Sequence, residues 1–228
     1  MNSKERIGVL ALQGAFAEHI TSLQKLGVEA LAIRLPRDIE NLDGLIIPGG
    51  ESTTIGRLML PYGFMKALRE LGRDNFPMFG TCAGMILLSK SALDLDVETV
   101  GAMDIKVRRN AFGRQIDSFE TLLSVPVLGE IPFPAVFIRA PIIVEIEPGV
   151  ETLASLLDGT PVAAKQGNLL VSAFHPELTS DLRLHAYFLD IVSASVPNVI
   201  ASKAKQSGLG DQLHKTSSAP LPERQVIS

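Results

Sequence analysis

The only cysteine of this 228-residue chain stands between two glycines, in the stretch Gly80-Thr81-Cys82-Ala83-Gly84. A short apolar run over 77–79 predicts a strand before it, and a helical run begins near Ala83. Strand, tight turn and helix with small flanking residues is typical of a nucleophile elbow. A helix N-terminus also favours the thiolate, the reactive form of cysteine. The pattern predicts a cysteine nucleophile, although a buried structural cysteine would fit the same stretch.

A cysteine nucleophile needs a base, and the chain contains four histidines. His214 lies in a polar C-terminal segment, 203–228, whose composition predicts disorder. His19 and His185 fall in predicted helices, where a surface or hydrogen-bonded side chain is the usual state. His175 differs, because it ends an apolar strand over 169–174.

His175 is followed by Pro176 and Glu177. In an extended chain residues i and i+2 share one side, so His175 and Glu177 are both expected to face the cleft. A carboxylate bonded to one imidazole nitrogen orients the other. The spacing therefore predicts a Cys82–His175–Glu177 triad, with an ordinary strand end before a helix as the alternative.

A third small-residue stretch, Pro-Gly-Gly-Glu-Ser-Thr-Thr over 48–54, follows a predicted strand and precedes a helix. Backbone N–H groups in this setting can stabilise an anion. The stretch lacks the lysine of a phosphate-binding G-x-x-x-x-G-K-[ST] loop. Beside a cysteine nucleophile, we expect it to contribute to an oxyanion hole.

The elements that must position these residues alternate in the first half of the chain. Strands are predicted over 7–12, 30–35, 42–47 and 77–79, and helices over 16–26 and 62–71. This order predicts an α/β fold with a parallel sheet covered by helices on both faces. From about residue 97 the pattern changes to strands over 100–108, 135–138, 142–146, 162–166 and 169–174, with a closing helix over 181–194. Gly167-Asn168 is expected to form a tight hairpin turn.

The composition narrows the class of protein. Hydrophobic residues make up 46 % of the chain and the net charge is -4, with no basic stripe, so no nucleic-acid partner is expected. The apolar run over 7–12 is too short for a membrane span and predicts a buried first strand rather than a signal peptide. A single cysteine is typical of a reducing compartment, so a cytoplasmic protein is expected. We expect one domain over 1–196 and a disordered tail over 197–228.

Taken together, G-T-C-A-G, H-P-E and P-G-G-E-S-T-T resemble the motifs of the class I (triad) glutamine amidotransferases. Three further stretches are similar to the glutaminase subunits of pyridoxal 5′-phosphate synthase: L-Q-G-A at 12–15, R-N-A-F-G-R-Q at 109–115 and F-I-R-A-P at 137–141. The resemblance runs from about Ile7 to Val192. It implies a flavodoxin-like fold, with a mixed but mostly parallel central sheet flanked by helices and an antiparallel strand addition in the second half.

The resemblance also implies roles for individual residues. Cys82 would be the nucleophile, His175 the general base and acid, and Glu177 the carboxylate that orients His175. Gln13 would couple glutaminase activity to the binding of a partner subunit. The implied oxyanion-hole residues are Gly49, Gly50 and Ala83. The implied glutamine-binding residues are Gly50, Glu51, Ser52, Arg109, Ile138 and Arg139, where an acidic group suits the substrate's ammonium and arginine suits its carboxylate.

The implied reaction is hydrolysis of L-glutamine to L-glutamate and ammonia, and it requires no metal or cofactor. Free ammonia is mostly non-nucleophilic ammonium at neutral pH, so direct delivery to a synthase is favoured. The resemblance implies that this partner is a separate (β/α)₈-barrel subunit that makes pyridoxal 5′-phosphate, with no membrane involved.

Three other functions remain open from the sequence. A triad glutaminase of another biosynthetic pathway is the nearest, although the 109–115 and 137–141 stretches weigh against it. A free-standing cysteine hydrolase of γ-glutamyl chains would need no partner. An inactive regulatory subunit would not need Cys82, His175 and Glu177 together.

Overall fold

The computed structural model describes residues 4–96, 98–109 and 118–195, so the predicted tail over 197–228 lies outside the described residues. The strands are β1 (Arg6–Leu10), β2 (Glu29–Ile33), β3 (Gly44–Ile47), β4 (Met78–Thr81), β5 (Ser89–Leu93), β6 (Met103–Arg108), β7 (Ser118–Leu123), β8 (Phe133–Ile138), β9 (Ile142–Ile146), β10 (Glu151–Ser155), β11 (Pro161–Gln166) and β12 (Leu169–Ser172). The helices are α1 (Phe16–Lys25), α2 (Ser52–Tyr62), α3 (Phe64–Arg73), α4 (Ala83–Leu88) and α5 over 183–195.

Seven strands form the central sheet in the order β10-β11-β12-β4-β3-β1-β2. From β12 to β2 all neighbours pair in parallel, whereas β11 pairs antiparallel with β12 and β10 with β11. Every residue of β3, β4 and β12 is buried, as expected for strands that are covered on both faces. The predicted mixed sheet with an antiparallel addition is confirmed.

The sheet order places the candidate site. β4 and β12 are parallel neighbours, with Thr81 paired to Ser172 at their carboxyl ends. The other neighbour of β4 is β3, which leads into Pro48. Because these three ends meet at one edge, the stretches that begin at Pro48, Cys82 and Ala173 emerge side by side.

The second half of the chain adds two smaller sheets. β5, β6 and β9 form one of them, and β7 pairs with β8 in an antiparallel hairpin. The predicted hairpin turn at Gly167-Asn168 joins the antiparallel β11 and β12, with Gly167 at a φ of +55°. A hydrogen bond of 2.8 Å from the N–H of His175 to the carbonyl of Val136 joins β8 to the candidate site.

Sequence reasoning misjudged several elements. The helix predicted over 62–71 corresponds to α3, which begins only at Phe64, because Gly63 adopts a left-handed φ of +78° and separates α3 from α2. β5, β7 and β10 were not predicted. Their residues are partly polar and largely exposed, so they lack the apolar run that identifies a buried strand.

None of the helices in the part of the chain that the structure covers is long and apolar enough to span a membrane. The described residues up to Ala194 fall within one folded unit.

Candidate active site

Cys82 sits on a strained turn between β4 and α4. Its φ of 47° and ψ of -100° are rare for a residue with a side chain, and they match the strained turn of a nucleophile elbow. Both flanking glycines are required sterically. A Cβ on Gly80 would lie 2.6 Å from the backbone of Gly84, and one on Gly84 would overlap the carbonyl oxygen of Ile47. The elbow therefore depends on glycine at both positions, because the neighbouring backbone leaves no room for a larger residue.

Neighbouring strands hold Cys82 in place. Its N–H donates to the carbonyl of Ser172 at 2.8 Å, which joins it to the end of β12. Its thiol lies 4.0 Å from the carbonyl oxygen of Ile138, at the end of β8. The side chain is largely buried, with 6 % of the residue exposed.

His175 and Glu177 contact each other as predicted, but by a different backbone route. His175 Nδ1 lies 2.7 Å from Glu177 Oε1. The chain is not extended here, because Pro176 begins a short 3₁₀ turn over Pro176–Leu178. Glu177 consequently lies behind His175, with no exposed side-chain surface, and does not face the cleft.

The environment of His175 favours its protonated form. Burial alone would lower the pKa of this imidazole. Interaction with the Cys82 sulfur and hydrogen bonding to Glu177 outweigh burial and raise the pKa of His175 to about 10. His175 is therefore an imidazolium at neutral pH, with the Cys82 sulfur beside it.

Two further histidines lie behind Glu177, and for these the sequence predicts only surface or hydrogen-bonded side chains on helices. His19 on α1 and His185 on α5 are completely buried, and His19 Nδ1 is 2.9 Å from His185 Nε2. His19 Nε2 is 3.3 Å from Glu177 Oε2 and 3.2 Å from Thr81 Oγ1. A signal was available in the helical spacing, because His19 shares the inward face of α1 with Leu23, four residues later.

The end of β3 packs directly against the triad. Gly49 has no room for a side chain, because a Cβ there would overlap the ring of His175. The N–H of Gly49 donates to Thr81 Oγ1 at 3.0 Å, and its carbonyl accepts from the N–H of Ala15 at 3.0 Å. Gln13 reaches the next part of this loop, since its Oε1 accepts from the N–H of Glu51 at 2.9 Å.

Glu51 and Arg109 form an ion pair, with Arg109 Nη2 3.0 Å from Glu51 Oε1. Glu51 also caps α2, accepting from the N–H groups of Thr53 at 3.1 Å and Thr54 at 2.6 Å. Burial opposes ionisation of Glu51, but the hydrogen bonds from Thr54 and Thr53 prevail and lower its pKa to about 2. The two predicted glutamine-binding charges therefore neutralise each other.

One cavity of about 320 Å³ collects most of the predicted site residues. Its lining consists of Gln13, Gly50, Glu51, Ser52, Cys82, Ile86, Arg109, Ile138, Arg139 and His175. Gly49, Ala83 and Glu177 adjoin these residues without lining the cavity. Of the 109–115 motif only Arg109 is described, and the other six residues lie outside the described residues.

Within the described ranges, no group of three or more His, Cys, Asp or Glu side chains is arranged to hold a metal ion. The chemistry available at the site is that of a thiol, an imidazole and a carboxylate in sequence, beside a cavity with one acidic and two basic side chains on its wall.

Residues 9–194 match the SNO glutamine amidotransferase family, and this range contains the whole central sheet beyond the first residues of β1. The chain belongs to the SNO glutamine amidotransferase family. Membership of this family confirms the resemblance predicted from the G-T-C-A-G, H-P-E and P-G-G-E-S-T-T motifs.

Curated members of the glutamine amidotransferase family resemble this chain over most of its length. It is 57 % identical over 187 residues to the pyridoxal 5′-phosphate synthase subunit PdxT of Moorella thermoacetica, covering 82 % of this chain and 99 % of the relative. It is 58 % identical over 188 residues to the protein of that name from Herpetosiphon aurantiacus, covering 81 % of this chain and 99 % of the relative.

Solved structures agree with the family. A crystal structure of a glutamine amidotransferase has a TM-score of 0.77 at 47 % identity and covers 82 % of this chain and 98 % of its own. The structure of PurLQS from Thermotoga maritima has a TM-score of 0.63 at 14 % identity, covers 82 % of this chain and 98 % of its own, and supports the fold alone.

Proposed function

We propose that this chain is the glutaminase subunit of pyridoxal 5′-phosphate synthase, hydrolysing L-glutamine and passing ammonia to a partner synthase subunit in vitamin B6 biosynthesis. The observation that carries the proposal is the shared cavity of Cys82 and His175, with Glu177 bonded to the far nitrogen of His175 at 2.7 Å. The relatives named as pyridoxal 5′-phosphate synthase subunits support the choice of pathway.

Acylation begins at Cys82. Its thiolate attacks the side-chain amide carbon of glutamine, and His175 donates its proton to the departing nitrogen, so ammonia leaves and a glutamyl thioester forms. Backbone N–H groups of Gly50 and Ala83 are suited to the oxyanion. Gly49 contributes only if its N–H releases Thr81, to which it donates at 3.0 Å.

Deacylation uses the same groups in reverse. His175, now neutral, takes a proton from water, which attacks the thioester carbon and expels the Cys82 thiolate. His175 is then protonated again, and the new carboxyl group of glutamate gives its proton to solvent. Glu177 holds the His175 ring in one orientation through both steps.

Glutamine binding requires the Glu51–Arg109 pair to open. The substrate carries one ammonium and one carboxylate, so Glu51 can meet the first and Arg109 the second without leaving a net charge unpaired. Arg139, Ser52 and Ile138 line the same wall of the cavity. Gln13 is proposed to couple glutamine binding to the partner, and its hydrogen bond from the Glu51 N–H in the loop after β3 supports this role.

The partner is proposed to be a (β/α)₈-barrel subunit, on the strength of the sequence resemblance. We also propose that residues 1–196 form the glutaminase domain and that the enzyme works in the cytoplasm, where a free nucleophilic thiol stays reduced.

The test is glutamate release from glutamine by the purified chain, alone and with the barrel synthase subunit, with Cys82→Ala as the control. We expect turnover that rises when the synthase is added and vanishes in Cys82→Ala. Formation of pyridoxal 5′-phosphate from ribose 5-phosphate, glyceraldehyde 3-phosphate and glutamine measures whether the ammonia reaches the synthase.

Equal glutamate release with and without the synthase would overturn the proposed partner and favour a free-standing hydrolase. Turnover that persists in Cys82→Ala would overturn the triad. Absence of turnover under both conditions would overturn the glutaminase function.

A further inference from the structure

Glu177 has two carboxylate oxygens, and the triad uses only one of them. Oε1 bonds His175 Nδ1 at 2.7 Å. Oε2 is buried and has no aligned hydrogen bond within the described ranges, although His19 Nε2 approaches it to 3.3 Å. A buried carboxylate oxygen without a hydrogen-bond donor destabilises the folded protein, and a proton on His19 Nε2 would offset this cost.

His19 and His185 are neutral at physiological pH. Burial, followed by the electrostatic effects of His185 and His175, lowers the pKa of His19 well below its ordinary value. Burial lowers the pKa of His185 to about 4. A neutral imidazole has one N–H donor and one bare acceptor nitrogen, so the two rings can share only one proton in the 2.9 Å bond between them.

Two arrangements of these protons are possible. If His19 carries its proton on Nδ1 and donates to His185, then His19 Nε2 is bare and Glu177 Oε2 lacks a donor. The proton of His185 is then on Nδ1, which has no partner among the described residues. If His185 donates from Nε2 instead, His19 must carry its proton on Nε2, between Glu177 Oε2 at 3.3 Å and Thr81 Oγ1 at 3.2 Å. Only the bare Nδ1 of His185 is then unpartnered, which costs less than two unpaired buried groups.

We propose that His19 is a positioning residue for the glutaminase reaction, acting through the second oxygen of Glu177, and that His185 fixes the tautomer of His19 that donates there. The inference rests on the triad proposed above. It extends the chain of contacts to Cys82, His175, Glu177, His19 and His185.

Loss of the His19 donor is expected to affect acylation and deacylation but not the binding of glutamine. With a donor on each oxygen, the Glu177 carboxylate cannot rotate, and the His175 ring keeps one orientation toward Cys82. Neither His19 nor His185 lines the substrate cavity. Loss of the His19 donor should therefore lower kcat while leaving KM for glutamine unchanged.

The first experiment compares His19→Leu, which fills similar space without a donor, with His19→Gln, whose amide N–H₂ can reach the position of Nε2. Both are assayed with the synthase, next to the wild type and Cys82→Ala. We expect His19→Leu to lose about tenfold or more in kcat, as is usual for a lost orienting hydrogen bond, and His19→Gln to recover most of it. His185→Leu should lower kcat less, because His19 keeps its ring N–H but can then carry it on either nitrogen.

Equal kcat for the wild type and His19→Leu would overturn the inference while leaving the glutaminase function intact. A matching loss in His19→Leu and His19→Gln, or a rise in KM in place of a fall in kcat, would also overturn it by assigning His19 a purely structural role. An inactive wild type would instead contradict the proposed function.

The second experiment does not depend on any variant being active. Correlation of ring nitrogens with ring protons by NMR in the ¹⁵N-histidine-labelled wild type identifies the tautomer at neutral pH, with signals assigned by their loss in His19→Gln. We expect a protonated Nε2 and a bare Nδ1 for His19. A proton on His19 Nδ1 would overturn the inference.

Discussion

Single side chains decide how reactive the proposed nucleophile is. The imidazole of His175 is mostly buried, which by itself favours its neutral form. The Cys82 sulfur and the Glu177 carboxylate reverse this preference and raise the pKa of His175 to about 10. His175 is therefore protonated at neutral pH, as the proposed donation to the departing nitrogen requires.

Glu177→Gln tests whether the Glu177 carboxylate raises the pKa of His175. Glutamine keeps the shape of Glu177 but removes its charge, so the pKa of His175 should fall and the alkaline limb of the kcat/KM profile should move to lower pH. The kcat should also fall by about a hundredfold or more, as for loss of charge in a triad carboxylate. The measurement is the pH dependence of glutamate release in the presence of the synthase.

Glu145→Gln is a matched control, because Glu145 is an exposed carboxylate on β9 whose side chain is 61 % accessible. Its profile should coincide with that of the wild type. An alkaline limb that stays in place in Glu177→Gln would show that Glu177 does not sustain the charge on His175.

At the scale of elements, the elbow exists because α4 packs its first turn directly against β3. Gly84 contacts the carbonyl of Ile47 so closely that a Cβ would overlap it, and Gly80 touches the backbone of Gly84. Every residue of α4 is buried, so the helix has no exposed side toward which it can shift. The strained φ of Cys82 follows from this packing.

Gly84→Ala is accordingly expected to destabilise the protein, although alanine normally strengthens a helix. The added methyl group must displace β3 or α4, and we expect a loss of about 3 kcal/mol in the free energy of unfolding. The proposed glutaminase activity should be lost as well, because the elbow moves. Urea denaturation and the coupled glutaminase assay measure the two effects.

Gly27→Ala provides the comparison. Gly27 has a φ of +87° with nothing within 4 Å of an added Cβ, so only backbone strain of about 1 kcal/mol is expected. Activity should be retained. Equal losses of stability in the two variants would mean that overlap with Ile47 is not what requires Gly84.

At the scale of the whole molecule, the candidate site is assembled from distant parts of the chain. His19 on α1, Thr81 at the end of β4, Glu177 after β12 and His185 on α5 meet in one buried cluster. The contact between His19 and His185 spans 166 positions in the sequence. Packing of α1 and α5 onto the sheet is therefore required to bring His19 and His185 to Glu177.

This cluster makes global stability sensitive to acid. His19 and His185 have lowered pKa values in the folded protein, so below about pH 6.5 the unfolded chain binds protons there that the folded protein does not. Each such group should cost about 1.4 kcal/mol of stability per pH unit as the pH falls from 6.5 toward 4. The contribution of His175 to the pH dependence of stability has the opposite sign. Its raised pKa adds stability that is fully present below pH 6.5 and is lost as the pH rises toward 10.

The double variant His19→Gln, His185→Gln isolates this effect, because it removes both lowered pKa values and leaves His175 in place. Between pH 6.5 and pH 4.5, the free energy of unfolding should fall more steeply for the wild type than for the variant. Urea titrations at matched pH values give the two slopes. Parallel slopes would contradict the assignment of two buried neutral histidines.

The local pattern of the sequence determined the elements and motifs that depend on near neighbours. Gly80, Cys82 and Gly84 predicted the elbow, since tight turns need small residues wherever they occur. The apolar runs predicted β3, β4 and β12, whereas the sheet order of the folded protein brings the three loops after them to one edge. The motifs were sufficient for the family, and the family match confirms that prediction.

Only the tertiary structure decided the relations between residues far apart in the chain. It paired Arg109 with Glu51, brought His19 to the second oxygen of the Glu177 carboxylate, and placed His185 against His19. The helical spacing of α1 indicates that His19 is buried, but nothing near His19 or Arg109 in the sequence identifies the partner that each of them contacts. Their burial and their partners depend on which helices pack together across the sheet, and that is a property of the folded chain as a whole.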